Sequence, residues 1–230
     1  MERTQKDAVI VPAGWIEAGK KHLAKDPAFR MLIKRHKDVP LLPQARIDLF
    51  TSLTHAIVNQ QLSGRVAEVI FGRVRNLFPR KQLKAAAMDQ ISDQQLRNAG
   101  LSWNKIKSLR DLAARINGRQ LPTSAQLFRL SDDVILERLT EVRGIGPWTV
   151  QMLLMFKLGR PDVFPASDLG IQKGFQKLLG RRQLPKAKHL EKHGARWKPY
   201  RSLAAWYLWR AVDEVIVKPA AAKTMWKVQK

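Results

Sequence analysis

Val142-Arg143-Gly144-Ile145-Gly146-Pro147-Trp148-Thr149 separates two helix-patterned segments, and a carboxylate, Asp168, follows Gly146 by 22 residues. Gly144 and Gly146 let the backbone come close to an oxygen, and the helix behind them offers N–H groups and the positive end of its dipole. Such a loop can hold a phosphate of a nucleic-acid backbone, a contact that positions a protein without reading base sequence. Any helix–helix turn can also use a Gly-x-Gly pair, so the pattern by itself leaves a plain connection open. A Walker phosphate loop is excluded, because no Gly-Lys-Ser/Thr follows. In Pro165-Ala166-Ser167-Asp168-Leu169, either Ser167 or Asp168 can cap the next helix. A cap would also hold the carboxylate rigidly, so the structural and chemical roles are compatible.

The chain that presents this carboxylate is strongly basic, with 42 Lys+Arg against 19 Asp+Glu and a net charge of +23 over 230 residues. That excess repels itself unless a polyanion is the working partner, which points to nucleic acid. Residues 173–201 concentrate it, with ten Lys/Arg and Glu191 as the one acid. Cysteine is absent, which excludes disulfides, thiolate zinc sites and cysteine-ligated iron–sulfur clusters. No stretch approaches the ~20 apolar residues of a membrane span. Met1-Glu2-Arg3-Thr4-Gln5-Lys6-Asp7 leads into only a short apolar patch, so no secretory signal is read there. A cytoplasmic, nucleoid-associated and monomeric protein is expected.

Helical periodicity runs through most of the chain. Leu49, Phe50, Leu53, Ile57 and Val58 share a stripe, as do Val66, Val69, Ile70, Val74 and Leu77, and Ile106, Leu109, Leu112, Ala113 and Ile116 before Gly118. Ser131-Asp132-Asp133 reads as an N-cap cluster for a helix over 134–141. A helix over 148–158 ends at Gly159-Arg160-Pro161, another follows Asp168, and a last long one begins near Pro199. Gly14 to Ala24 is a weaker helix candidate, and residues 218–230 read as a basic tail. No alternating run is long enough for a sheet. The fold class is therefore all-α, in two helical lobes: residues 48–160, and residues 1–47 together with 161–230, with a cleft expected between them.

Seven tryptophans are ordinarily core or interface residues. Trp148 and Trp209 are set apart by position, one opening the helix after the glycine loop and one on the last helix. They could form opposing walls for a flat, electron-poor ring, and a cationic base on indole gains roughly 0.5–2 kcal/mol.

Two further segments complete a pattern. Ala56-Ile57-Val58-Asn59-Gln60-Gln61-Leu62-Ser63 and Arg196-Trp197-Lys198-Pro199-Tyr200-Arg201-Ser202, with the glycine loop and Asp168, make four blocks in order over roughly residues 46–215. In this the chain resembles the helix-hairpin-helix (HhH-GPD) DNA glycosylases, and within them the DNA-3-methyladenine glycosylase II family. The resemblance implies a hydrolase of base excision repair that flips alkylated purines of the 3-methyladenine and 7-methylguanine type out of duplex DNA and cleaves the N-glycosidic bond. It makes Asp168 the catalytic carboxylate and Trp148, Trp209, Met152 and Leu169 the base-pocket residues. Gln60, Gln61, Leu62, Ser63, Gly144, Ile145, Gly146 and Thr149 become DNA contacts, with Gln61 the wedge that fills the vacated space. The loop containing Trp103 and Lys105 is a further candidate contact. No cofactor is required; a structural Na+ or K+ on the carbonyls of Thr140, Val142 and Ile145 is implied, and an iron–sulfur cluster is not.

The sequence departs from the family in places. Met152 and Leu169 stand where longer bacterial relatives carry tyrosines, so a more aliphatic pocket is expected, as is a chain without room for the N-terminal α/β domain of those relatives. A non-catalytic helix-hairpin-helix module, or an enzyme of the same fold for deaminated or oxidised bases, are the rival readings. The branch with lyase activity places a lysine two residues after the Gly-x-Gly, where this chain has Trp148. Without that amine no Schiff base to C1′ can form. Borohydride trapping is therefore expected to give no covalent protein–DNA adduct, and an adduct on a denaturing gel would reverse this reading.

Overall fold

The computed structural model describes residues 11–213, so the expected basic tail and the N-terminal segment Met1 to Asp7 lie outside the described residues. No strand occurs among the described residues, and the chain is all-α. The helices are α1 (Trp15–Leu23), α2 (Pro27–Arg35), α3 (Leu49–Asn59), α4 (Gly64–Asn76), α5 (Asp93–Asn98), α6 (Trp103–Asn117), α7 (Ser124–Arg129), α8 (Asp132–Thr140), α9 (Pro147–Phe156), α10 (Leu169–Leu178), α11 (Ala187–Gly194) and α12 (Arg201–Asp213).

Their starts follow from short polar side chains that take over the amides a first helical turn leaves without acceptors. Asp26 accepts from the Ala28 amide, Asp48 from Thr51, Ser102 from Lys105 and Asp168 from Ile171, at 2.9–3.3 Å. Ser92 with Gln95 and Thr123 with Gln126 form reciprocal capping boxes. α8 begins at Asp132, earlier than the expected 134, because both Asp132 and Asp133 sit in its first turn, where the dipole favours them. α9 ends at Phe156 rather than 158: the Leu158 amide reaches back to Leu153 O in a wide closing turn, and Gly159 follows at φ 64.

The described chain forms two compact units, one of residues 11–12 and Leu41–Arg160, the other of Ala13–Pro40 and residues 161–213. Residues 41–47, expected with the second lobe, belong to the first unit. The Gln44 amide donates to Lys157 O at 2.9 Å, the Ile47 amide donates to Ser124 Oγ at 3.1 Å, and Leu41 and Ile47 are buried.

In the first unit α3 packs against α4 and α6. The α3 stripe Leu49, Phe50, Leu53, Ile57 and Val58 is buried throughout, as are Ile106, Leu109, Leu112 and Ala113 of α6. The expected α4 stripe is corrected: Val66 and Val69 are 47% and 50% exposed, while Ala67, Val74 and Phe78 are buried. The inward face is thus set by Ala67 and its neighbours a full turn or two along, and the bulkier valines beside it face out. Arg160 is 1% exposed. Its guanidinium donates to Leu127 O at 3.1 Å and Leu130 O at 2.8 Å and lies 3.2 Å from Asp132, so a buried charge is held by acceptors at the end of α7 and the start of α8.

In the second unit α12 is the central helix, with α1, α2 and α10 packed on it. Ser202 through Leu208 and Ala211 are buried. A Cβ on Gly174 of α10 would overlap the Leu208 carbonyl, so glycine alone allows the two helix backbones their closeness. Arg201 is paired with Asp162 at 2.7 and 2.8 Å, which removes it from the expected basic face. His193 of α11 lies 4.7 Å from the Phe175 ring and 5.3 Å from Trp197. Burial, then Arg196, Arg181 and His189 against an opposing pull from Asp26, lower its pKa to about 4.

A histidine held neutral in the fold makes stability depend on pH in a definite direction. Above the unfolded value near ~6.5 neither state binds the proton. Between there and about 4 the unfolded chain takes up a proton that the folded chain refuses. Stability should fall over that window by up to ~1.4 kcal/mol per pH unit from this group. Denaturant unfolding at pH 7 and 5 should show His193→Phe losing less stability than the wild type; equal losses would refute the assignment.

Candidate functional site

The hairpin loop joins α8 to α9 through Glu141 to Gly146. Its two glycines answer to different demands. Gly144 has φ 77, and a Cβ there would stand 2.5 Å from Ser108 Oγ, so the folded chain itself requires glycine. Gly146 has φ −99, which any residue adopts, and a Cβ there would meet nothing within 4 Å. The space over that backbone is open. Pro147 takes the first helical position of α9, where its missing N–H costs nothing. The Arg143 amide donates to Asp111 at 2.8 Å, and Arg115 bridges Asp111 and Glu141 at 3.2 and 3.1 Å, bracing the flank of the loop.

Ile145 and Thr149, both expected as DNA contacts, are buried. Their side chains fill the core, and the Ile145 amide already donates to Val142 O at 3.0 Å, whereas Thr149 lies in the first turn of α9, where amides have no acceptor within the helix. Trp148 is 48% exposed on the first turn of α9, and Met152 one turn on is half-buried.

The segment after α3 projects Gln61, Leu62 and Ser63 into solvent, with Gln61 at φ 61. Gln60 Nε2 donates to Gly144 O at 2.7 Å, which brings this segment and the hairpin loop together. Lys105, expected as a DNA contact, instead donates its ammonium to Val58 O and Gln60 O, both at 2.8 Å, and this burial lowers its pKa. Two of the three N–H donors of this half-buried ammonium are thus committed to the end of α3. Trp103 at the start of the same helix is 53% exposed, with the Arg97 guanidinium 5.2 Å from its ring centre.

In the second unit Asp168 caps α10: Oδ1 accepts from the Ile171 amide at 2.9 Å. The same oxygen accepts from Trp209 Nε1 of α12, also at 2.9 Å. Trp209, read from sequence as a pocket wall, therefore also fixes the carboxylate. Gly170 makes this possible, since a Cβ there would stand 2.8 Å from Trp209 Cδ1 and 3.0 Å from Asp168 Oδ1. Sequence reasoning missed this bond and the glycines behind it. The signal available was the four-residue spacing of Gly170 and Gly174, which clears one face of α10 for close approach. Leu169, the next residue, is exposed. Among the described residues no cluster of histidine, cysteine and acid side chains could hold a metal ion.

A family model described as HhH-GPD superfamily base excision DNA repair protein matches residues 54–199. The chain is 37% identical over 164 residues to DNA-3-methyladenine glycosylase 1 of Schizosaccharomyces pombe, covering 70% of this chain and 71% of that protein. It is 31% identical over 227 residues to DNA-3-methyladenine glycosylase of Saccharomyces cerevisiae, covering 82% and 76%. Among solved structures, the S. pombe 3-methyladenine DNA glycosylase in complex with abasic DNA superimposes with a TM-score of 0.76 and 32% identity, over 86% of this chain and 98% of that one. A Bacillus halodurans DNA-3-methyladenine glycosidase gives 0.74 and 35%, over 84% and 87%.

The two hairpin glycines should separate on substitution. Gly144→Ala is expected to lower stability by roughly 1–3 kcal/mol, through positive φ and the clash with Ser108. Gly146→Ala should leave the unfolding midpoint unchanged and weaken DNA affinity several-fold. Unchanged affinity for Gly146→Ala would show that no ligand approaches there.

A hairpin loop between two helices, a carboxylate fixed at a helix cap, and a family match over residues 54–199 agree: the chain belongs to the HhH-GPD superfamily of base excision DNA repair proteins.

Proposed function

We propose that the protein is a monofunctional DNA glycosylase that releases alkylated purines from duplex DNA by hydrolysis of the N-glycosidic bond. The observation that carries the reading is Asp168, whose Oδ1 is held at 2.9 Å by both the Ile171 amide and the Trp209 indole. As the bond to C1′ stretches, positive charge develops on the deoxyribose. A carboxylate ~4 Å away attracts it by about 4 kcal/mol at an effective dielectric of 20, worth several decades of rate. Because that carboxylate is already fixed, little reorganisation is needed when the charge appears.

The remaining parts take roles from physical need. A base within a duplex cannot present its glycosidic bond, so the nucleotide is rotated out and its space filled. Gln61, exposed on its loop, is the proposed wedge, with Leu62 and Ser63 beside it. The backbone at Gly144 and Gly146 is the proposed phosphate anchor, the Ile145 amide between them being bonded to Val142 O, and the exposed Trp103 a further DNA contact. The indoles of Trp148 and Trp209, with Met152 and Leu169, are the proposed base contacts; a methylated purine is cationic, which favours stacking on indole. It also leaves readily, so no separate general acid is needed. Relatives named DNA-3-methyladenine glycosylase support the substrate class.

The carbonyls of Thr140, Val142 and Ile145 would hold a monovalent cation. Thr140 ends α8, where the helix dipole is negative, Val142 and Ile145 follow in the loop, and hard oxygen donors without a carboxylate suit Na+ or K+. No other cofactor is proposed. No described helix is long and apolar enough to cross a membrane. A monomer acting on chromosomal DNA in the cytoplasm is the proposed setting.

Asp168→Asn tests the reading cleanly, because asparagine caps a helix about as well as aspartate. The variant should keep its fold and DNA binding and lose roughly 10²-fold or more in release of methylated bases from alkylated duplex DNA. Excision at the wild-type rate would exclude Asp168 as the catalytic group.

A further inference from the structure

The last carbonyls of a helix find no amide partner within it. At the end of α3 two carbonyls, of Val58 and Gln60, accept from the Lys105 ammonium at 2.8 Å each. That charge also meets the negative end of the α3 dipole. Gln60 sends its own amide the other way, to Gly144 O at 2.7 Å. Between these anchors the chain runs into Gln61 at φ 61, a left-handed conformation that a side chain with a Cβ adopts only when its surroundings enforce it.

α6 is the common footing. Lys105 reaches the Gln61 loop from its first turn, and Ser108, three residues on, touches the place where a Cβ on Gly144 would be, at 2.5 Å. His55 of α3 and Glu68 of α4 pair at 2.8 Å, a further link between the helices on either side of the loop.

We propose that Lys105 and Gln60 are positioning residues that lock the Gln61 loop to the hairpin loop, so that gap-filling side chain and strand-anchoring backbone move as one block. This rests on the glycosylase reading in which Gln61 occupies the vacated space. A wedge works only if its base does not recoil when the duplex presses back. Tying that base to the loop that grips the phosphates turns binding of the strand into force on the stacked nucleotide. Partial burial lowers the pKa of Lys105, in keeping with its place against the end of α3.

The test is single-turnover excision of an alkylated base by full-length protein carrying Lys105→Met, Gln60→Ala, Gln61→Ala and the double variants. Lys105→Met keeps the aliphatic stem and removes the charge; Gln60→Ala removes one amide at the surface and carries the test alone if the lysine variant does not fold. With the base normally paired, each should slow excision about tenfold or more, the scale expected for losing a charge-assisted or neutral hydrogen bond that acts on the transition state. Opposite an abasic site, where unpairing costs little, the loss should shrink to a few-fold. Added to Gln61→Ala, either change should slow the reaction little further, because residues acting through one another are not additive. Multiplying effects, or equal losses on paired and unpaired lesions, would overturn the proposal while leaving the glycosylase reading intact. A wild-type protein that releases no alkylated base overturns both.

Discussion

Oδ1 of Asp168 accepts two hydrogen bonds, one from the amide that opens α10 and one from an indole on α12. The second exists only because α10 and α12 come closer than side chains on both would permit. Gly174 removes a side chain where the Leu208 carbonyl lies, and Gly170 removes one where the Trp209 ring lies. The orientation of the carboxylate is therefore set by a helix crossing and not by a local loop, and the rigid core around α12 supports it. Ser202 through Leu208 fill that core almost without a gap.

The first unit solves a different problem, that of loops rich in backbone groups which must be held in unusual conformations. Its answer is to send cations inward to carbonyls. Lys105 closes α3, Arg160 closes α7, and Arg110 donates to Met88 O and Ile91 O while pairing with Asp93. In the second unit Arg201 is similarly committed to Asp162. The net charge of +23 thus overstates the basic surface available to a polyanion. Part of that excess stabilises helix ends, where a positive group meets the negative end of the dipole.

Most elements could be read from the residues. Cap residues such as Asp48, Ser102 and Asp168 start helices because their side chains accept from amides two or three positions on, a relation confined to one turn of chain. The stripes of α3 and α6 were legible for the same reason. α4 was legible only in part, since Val74 of the expected stripe is buried but Val66 and Val69 are exposed and Ala67 turns inward, and only the neighbours decide which face is buried. The tryptophans divide likewise: Trp15, Trp197 and Trp206 are core, while Trp103 and Trp148 stand half in solvent.

The sequence by itself determined the all-helical class, a glycine turn between α8 and α9, and a short polar cap, Ser167 or Asp168, at the start of α10. Each depends on residues close along the chain, where bond geometry and side-chain reach leave few alternatives. Tertiary structure alone decided that Trp209, 41 residues away, fixes Asp168 and that Lys105 serves the carbonyls of Val58 and Gln60. Those bonds join groups far apart in sequence, and whether two such groups meet is a matter of which helix faces pack together, which no local pattern encodes.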